Sequence, residues 1–141
     1  TVYGPWGRPD MAYFKFTKAA FNNECVEIYN HGDMERDFTY IDDITDGIAS
    51  AIKYNLDNQE NYSHEIFNLG NSAPEKISSL IASIEQHTGS IIKKNYIDMQ
   101  LGDVKKTFAD ISKSTEAFQF CPKVNLDEGI KSFVNWYREF Y

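Results

Sequence analysis

The chain has few glycines, and none stands where dinucleotide chemistry would need it. The eight occupy positions 4, 7, 32, 47, 70, 89, 102 and 129 of 141, so neither G-x-G-x-x-G nor G-x-x-G-x-x-G occurs. A loop that cradles a pyrophosphate at a strand-to-helix turn is therefore missing. No tyrosine is followed four residues later by a lysine, which removes the Tyr/Lys base pair of reductases. Two cysteines, Cys25 and Cys121, are too few for a disulfide framework or a Cys-based zinc site, and a reducing, cytoplasmic setting is expected. His31, His64 and His87 lie far apart in the sequence and form no H-E-x-x-H, and there is no G-x-S-x-G elbow. No metal site is expected. Positive charge is also short: 14 Lys plus Arg against 21 Asp plus Glu give a net charge of −7. That balance argues against a nucleic-acid or anionic-membrane surface. Apolar runs are only a few residues long, so no segment reads as a membrane span or a leader. The first residue, Thr1 rather than Met, suggests a fragment or a processed form.

What is present suits one domain, residues 1–141, with one core: 42% of residues are hydrophobic and 15% aromatic. Residues 1–3 read as the end of a strand, and the Gly/Pro-rich stretch 4–9 as a loop. Asp10 is the expected N-cap of a helix over residues 11–22, which carries Phe14, Phe16 and Phe21. Residues 26–29 are β-prone, residues 30–33 have turn chemistry, and residues 37–40 resume in extended form. Ile44, Ile48, Ala51 and Ile52 make a helical stripe behind Asp42 and Asp43, two carboxylates suited to that helix's N-terminus. Residues 56–63 read as a polar loop and residues 65–69 as a strand. Ile77, Leu80, Ile81 and Ile84 mark another helix that stops near Gly89, and residues 91–97 a further strand. A short helix over residues 112–118 is stopped before Pro122. The last helix follows Asn125 and aligns Leu126, Ile130, Phe133, Val134 and Tyr137. The fold class is α/β or α+β, a small mixed layer of short strands and helices rather than a complete doubly wound sheet.

Two segments carry the chemical signal: T-V-Y-G-P-W-G-R-P-D-M at residues 1–11 and R-D-F-T-Y-I-D-D-I at residues 36–44. Both resemble stretches of the extended short-chain dehydrogenase/reductase family of nucleotide-sugar enzymes, in particular the UDP-glucuronate 4-epimerases. Residues 26–30 (V-E-I-Y-N), 67–71 (F-N-L-G-N), 99–104 (M-Q-L-G-D-V) and 133–138 (F-V-N-W-Y-R) match as well, in the family's order. The resemblance implies the C-terminal, substrate-binding portion of such an enzyme, lacking most of the Rossmann domain. It also implies that the absent N-terminal domain of the parent carries the glycine loop, the Tyr-x-x-x-Lys pair and NAD. The parent would then be an isomerase that inverts C4 of a UDP-sugar through a 4-keto intermediate, commonly as a homodimer. The fragment alone is expected to bind no cofactor and to be inactive.

Residue roles follow from the same resemblance. Arg36 takes the position of a diphosphate-binding arginine, and a guanidinium suits phosphate because it forks onto two oxygens. Arg8, in the Gly/Pro-rich loop, would meet the hexuronate carboxylate or a phosphate, with a solvent-exposed arginine as the rival reading. Met11 starts the following helix, and Thr1 falls at a substrate-contacting position. Val26 belongs to a segment whose backbone frames uracil in related 4-epimerases, with Tyr29 as a packing aromatic; an ordinary edge strand with Tyr29 in the core is the rival reading. Asp103 corresponds to an acceptor for ribose hydroxyls. Gln100 stands where galactose-type epimerases carry an arginine, and Leu101 replaces a proline of the glucuronate-type pattern. Phe14, Phe16 and Phe21 would in part face the missing domain. Two alternatives stay open: a dehydratase or decarboxylase using the same arginine, and a non-enzymatic interaction module.

Overall fold

A computed structural model describes residues 1–58 and 64–141. Chain order gives β1 (Val2–Tyr3), α1 (Ala12–Asn22), β2 (Cys25–Ile28), a tight turn (Tyr29–Gly32), β3 (Glu35–Arg36) and β4 (Thr39–Tyr40). These are followed by α2 (Ile41–Asp57), β5 (Glu75–Lys76), α3 (Ile77–Thr88), β6 (Lys93–Tyr96), α4 (Ser112–Phe118) and α5 (Leu126–Phe140). The strands form three two-stranded ladders: β1 with β4 and β2 with β6 are parallel, and β3 with β5 is antiparallel. Among the described residues, no helix is long and apolar enough to cross a membrane.

The core lies where α1, α3 and α5 pack together against the β1/β4 and β2/β6 ladders. Helix α5 supplies Ile130, Phe133 and Val134, all fully buried, and α3 supplies Leu80 and Ile84. The i, i+3, i+4 spacing puts each set on one helix face, so closing the three helices removes all of them from water. Tyr3 sits at the centre. Its ring meets Tyr13, Phe38 and Tyr40 edge-on at centroid distances of 5.9, 6.1 and 5.5 Å, and its hydroxyl donates to the Asn125 carbonyl at 3.2 Å. Burial holds that hydroxyl's proton well above the usual tyrosine range.

Several local expectations are corrected. Asp10 does not cap α1: Met11 is the N-cap residue, without a side-chain bond, because the Asp10 carboxylate is engaged by Arg8. Asp42 and Asp43 do stand in the first turn of α2, but neither caps it: Asp43 reaches across to accept from the backbone N–H groups of Lys123 and Val124 at 2.9 and 3.1 Å, pinning the chain that leads into α5. Residues 65–69 form no ladder with any described residue. They are held instead by side chains: Asn68 donates to the Asp110 carbonyl, Ser114 to the Asn68 carbonyl and Lys113 to the Ile66 carbonyl. Phe14 and Phe16 are buried in this chain's own core, and Phe21 stacks on Tyr137 with an interplanar angle of 3°. Uncovered apolar side chains lie elsewhere, among them three on α2, where Ile48, Ile52 and Leu56 are 48%, 57% and 59% exposed. Of the loop expected over residues 56–63, residues 59–63 lie outside the described residues, and Leu56 and Asp57 close α2. Expectation and structure agree at α4 and at α5, where Asn125 accepts from the Glu128 N–H at 2.9 Å. They also agree at α3, which Gly89 terminates in the left-handed region at φ 73°.

Asp37 gathers three loops. Its buried carboxylate accepts from the backbone N–H groups of Ser72, Ala73 and Ala109 at 3.1, 3.3 and 3.0 Å. Its own N–H donates to the Thr107 hydroxyl at 2.9 Å. Gly70 permits this approach, since a Cβ there would lie 2.4 Å from that of Ala109. A second polar staple joins α3 to α5. Ser83 Oγ donates to Asp127 at 2.7 Å, His87 Nε2 lies 2.9 Å from the same oxygen, and Arg138 donates to the His87 carbonyl. The Ser83 hydroxyl, with His87 adding to it, holds the Asp127 carboxyl below the usual aspartate range.

Three outcomes follow for stability. Asp37→Ala leaves three part-buried backbone N–H groups without their acceptor and is expected to cost about 1–3 kcal/mol in urea unfolding. Gly129→Ala gains about 1 kcal/mol of helix propensity. The added Cβ would lie 2.1 Å from the Tyr3 hydroxyl, so overpacking of about 1–3 kcal/mol wins and the melting temperature falls. Because the Asp127 carboxyl is depressed in the folded state, its contribution is present at neutral pH and is lost as pH falls below the ordinary aspartate range near ~4. The stability gap between the wild-type chain and Asp127→Asn should therefore shrink on acidification in pH-dependent urea melts.

Candidate binding cleft

A cleft of about 340 Å³ opens between the start of α1, the end of β2 and the β3–β4 segment. Thr1, Met11, Tyr29, Arg36 and Asp103 all line it, so five residues from distant parts of the sequence converge. Phe16, Ile28, Met34, Phe38 and Ile77 give it an apolar floor, and Asp10 and Glu27 stand on its wall.

Local chain geometry explains the convergence. β2 alternates, burying Val26 and Ile28 and leaving Cys25 and Glu27 outward. The chain then reverses through Asn30, His31 and Gly32, all left-handed with φ of 48°, 50° and 84°. The His31 N–H donates to the Ile97 carbonyl and the Ile97 N–H to the Ile28 carbonyl, which ties this turn to the far end of β6. Tyr29 thereby comes to the cleft edge, its hydroxyl 3.4 Å from Glu27 Oε2.

Arg36 is fixed from several sides. β3 pairs it with Glu75, and the neighbouring Glu35 exchanges backbone bonds with Lys105 and Thr107. The guanidinium donates through Nη1 to the carbonyls of Glu35 and Lys105 at 2.8 and 3.3 Å, and through Nη2 to Asp103 Oδ1 at 2.8 Å. Its side chain is 14% exposed and that of Asp103 35%. The two nearby lysines are already paired, Lys105 with Asp33 and Lys106 with Glu35. Lys106 depresses the Glu35 carboxyl, and Asp33 raises the Lys105 ammonium.

The other sequence candidates lie apart. Arg8 borders an adjacent hollow formed by the loop after β1, and its Nε donates to Asp10 at 3.1 Å with the side chain 76% exposed. That ion pair pulls the Asp10 carboxyl down. Val26 packs its side chain into the core, and Gln100 is exposed on the loop before Asp103. Trp6, in the left-handed region at φ 61°, is 74% exposed and leans edge-on against Trp136 and Phe140. Sequence reasoning missed Asp37 and Glu27. No local pattern marks Asp37, because the backbone N–H groups that donate to its carboxylate are all 35 or more residues away. For Glu27, the alternation of β2 was the available signal.

Known proteins point the same way. The family model described as NAD dependent epimerase/dehydratase family matches residues 1–70. An uncharacterised protein of Methanocaldococcus jannaschii is 51% identical over 139 residues, covering 99% of this chain and 41% of its own length. UDP-glucuronate 4-epimerase 1 of Arabidopsis thaliana is 40% identical over 152 residues, covering 100% of this chain and 35% of its own. The crystal structure of UDP-glucuronic acid 4-epimerase from Bacillus cereus, in complex with UDP-glucuronic acid and NAD, superposes with a TM-score of 0.89. It is 34% identical, covering 100% of this chain and 44% of that one. The chain thus spans less than half the length of each of these relatives. With the mixed fold, the cleft and these similarities taken together, the chain belongs to the NAD dependent epimerase/dehydratase family.

Proposed function

We propose that this chain is the UDP-sugar-binding portion of an NAD-dependent UDP-glucuronate 4-epimerase. The observation that carries this reading is the convergence of Arg36, Asp103, Tyr29, Met11 and Thr1 on one cleft with an apolar floor. A diphosphate needs a fixed cation, and Arg36 is fixed by two carbonyls before any ligand arrives. Tyr29 and the β2 edge that includes Val26 offer an aromatic face and backbone groups to a base, and Asp103 offers a carboxylate to ribose hydroxyls. Arg8, on the adjacent hollow, would serve the sugar end, and Gln100, on the loop before Asp103, the diphosphate rim. The relatives' substrates support the choice of sugar nucleotide, since the Bacillus cereus enzyme was crystallised with UDP-glucuronic acid and NAD.

In this reading the chemistry is divided. NAD, when bound by the remainder of the parent polypeptide, supplies the hydride exchange at C4 that inverts the sugar. The residues of this chain bind and orient the nucleotide and carry no proton-transfer step. The whole chain acts as a single substrate-binding domain, and the exposed Ile48, Ile52 and Leu56 on α2 are where an NAD-binding domain would cover it. A homodimeric parent working in the cytoplasm completes the proposal.

The test is a calorimetric titration of the 141-residue chain with UDP. Hydrogen bonds to charged groups are worth about 1.5–3 kcal/mol, so Arg36→Ala should weaken binding at least about tenfold, with the helical circular dichroism unchanged. Equal affinity in the two proteins would remove Arg36 from the site.

A further inference from the structure

Arg36 is partnered on both of its terminal nitrogens, and the partners differ in kind. The Glu35 and Lys105 carbonyls on Nη1 belong to backbone that the β3 ladder and Thr107 hold in place. The Asp103 carboxylate on Nη2 belongs to a turn closed by a 3.2 Å bond from its own N–H to the Gln100 carbonyl, with Gly102 in the left-handed region at φ 84°. Asp103 is also the more exposed partner, 35% against 14%. The same Asp103 oxygen also accepts from the Val104 N–H of its own loop at 2.8 Å, one backbone bond against the two that hold Arg36, so if the pair separates Asp103 is the partner that moves.

We propose that Asp103 makes the cleft selective, excluding small anions from Arg36 while yielding to a diphosphate that carries a ribose. This rests on the reading above, in which Arg36 receives the diphosphate. A bare phosphate or pyrophosphate must displace a carboxylate from a charge-assisted bond and then sit beside it as a like charge. Glu27, which also lines the cleft, adds to that repulsion, whereas the charge of Asp10 is paired with Arg8. Lys105 and Lys106 are held by Asp33 and Glu35, so taking up the released Asp103 would break one of those pairs. A nucleoside diphosphate brings its own remedy: its ribose hydroxyls donate to the displaced carboxylate, so breaking the Arg36–Asp103 pair is offset only for this class of ligand. Asp103 is thus a specificity residue that discriminates by what it costs the wrong ligand.

The experiment compares inorganic pyrophosphate and UDP, without divalent cations, on the wild-type chain, Asp103→Asn and the double variant Arg36→Ala/Asp103→Asn. Asn is nearly isosteric and removes only the charge, and Asp103→Ser serves if Asp103→Asn misfolds. Pyrophosphate is expected to bind Asp103→Asn at least about tenfold more tightly than wild type and to lose that gain in the double variant. The preference for UDP over pyrophosphate should fall by at least the same factor. Unchanged or weaker pyrophosphate binding in Asp103→Asn overturns the proposal, whatever UDP does. A pyrophosphate gain that depends on Arg36, with no UDP binding by any of the three proteins, would retain the exclusion of small anions by Asp103 and overturn its yielding to a nucleotide, along with the proposed function.

Discussion

A buried carboxylate is expensive unless several donors meet it, and the arrangement around Asp37 follows from that constraint. Three backbone N–H groups, from residues 72, 73 and 109, converge on its oxygens. Their convergence draws the segment after residue 70 and the segment before α4 to the link between β3 and β4. Arg36 stands one residue earlier, on the strand this anchor fixes, so its guanidinium meets two carbonyls already in place. The site's one fixed cation is therefore positioned by a neighbour that never faces the cleft.

The same logic recurs on a smaller scale. Asp43 fastens the chain entering α5, and Asp127 joins α5 to α3. With seven more acidic than basic groups, the chain uses several carboxylates as internal anchors as well as on its surface. Aromatic side chains fill the space between these anchors, with Tyr3 and Phe133 at the centre of edge-on contacts. Together the anchors and rings explain how short two-stranded ladders suffice: side chains, more than sheet pairing, hold the loops in register.

Much of this was legible in the sequence where the cause is local. The apolar stripe of α5 and its Asn125 cap, the Gly89 stop of α3 and the extent of α4 are set by neighbours within a turn or two. Arg36, Asp103, Tyr29, Met11 and Thr1, which motif resemblance marks irrespective of their separation, line one candidate cleft. Long-range partnership was not legible. Asp43 has the composition of a helix cap, yet its carboxylate is taken by backbone N–H groups 80 and 81 residues away, which no local pattern reports. Residues 65–69 have β-forming side chains, but a strand also needs a partner edge, which no residue composition reports. The stripe on α2 was read correctly as a helix face, although what periodicity could not say is that Ile48, Ile52 and Leu56 stay uncovered.

The central claim is that the cleft between α1, β2 and β3 receives the nucleotide. Amide and side-chain chemical-shift mapping of the isotope-labelled chain during a UDP titration tests it most directly. The account predicts saturable shifts at Met11, Tyr29, Arg36 and Asp103, with the α2 residues Ile48, Ile52 and Leu56 unmoved. Shifts confined to the α2 face, or none at saturating UDP, would contradict it.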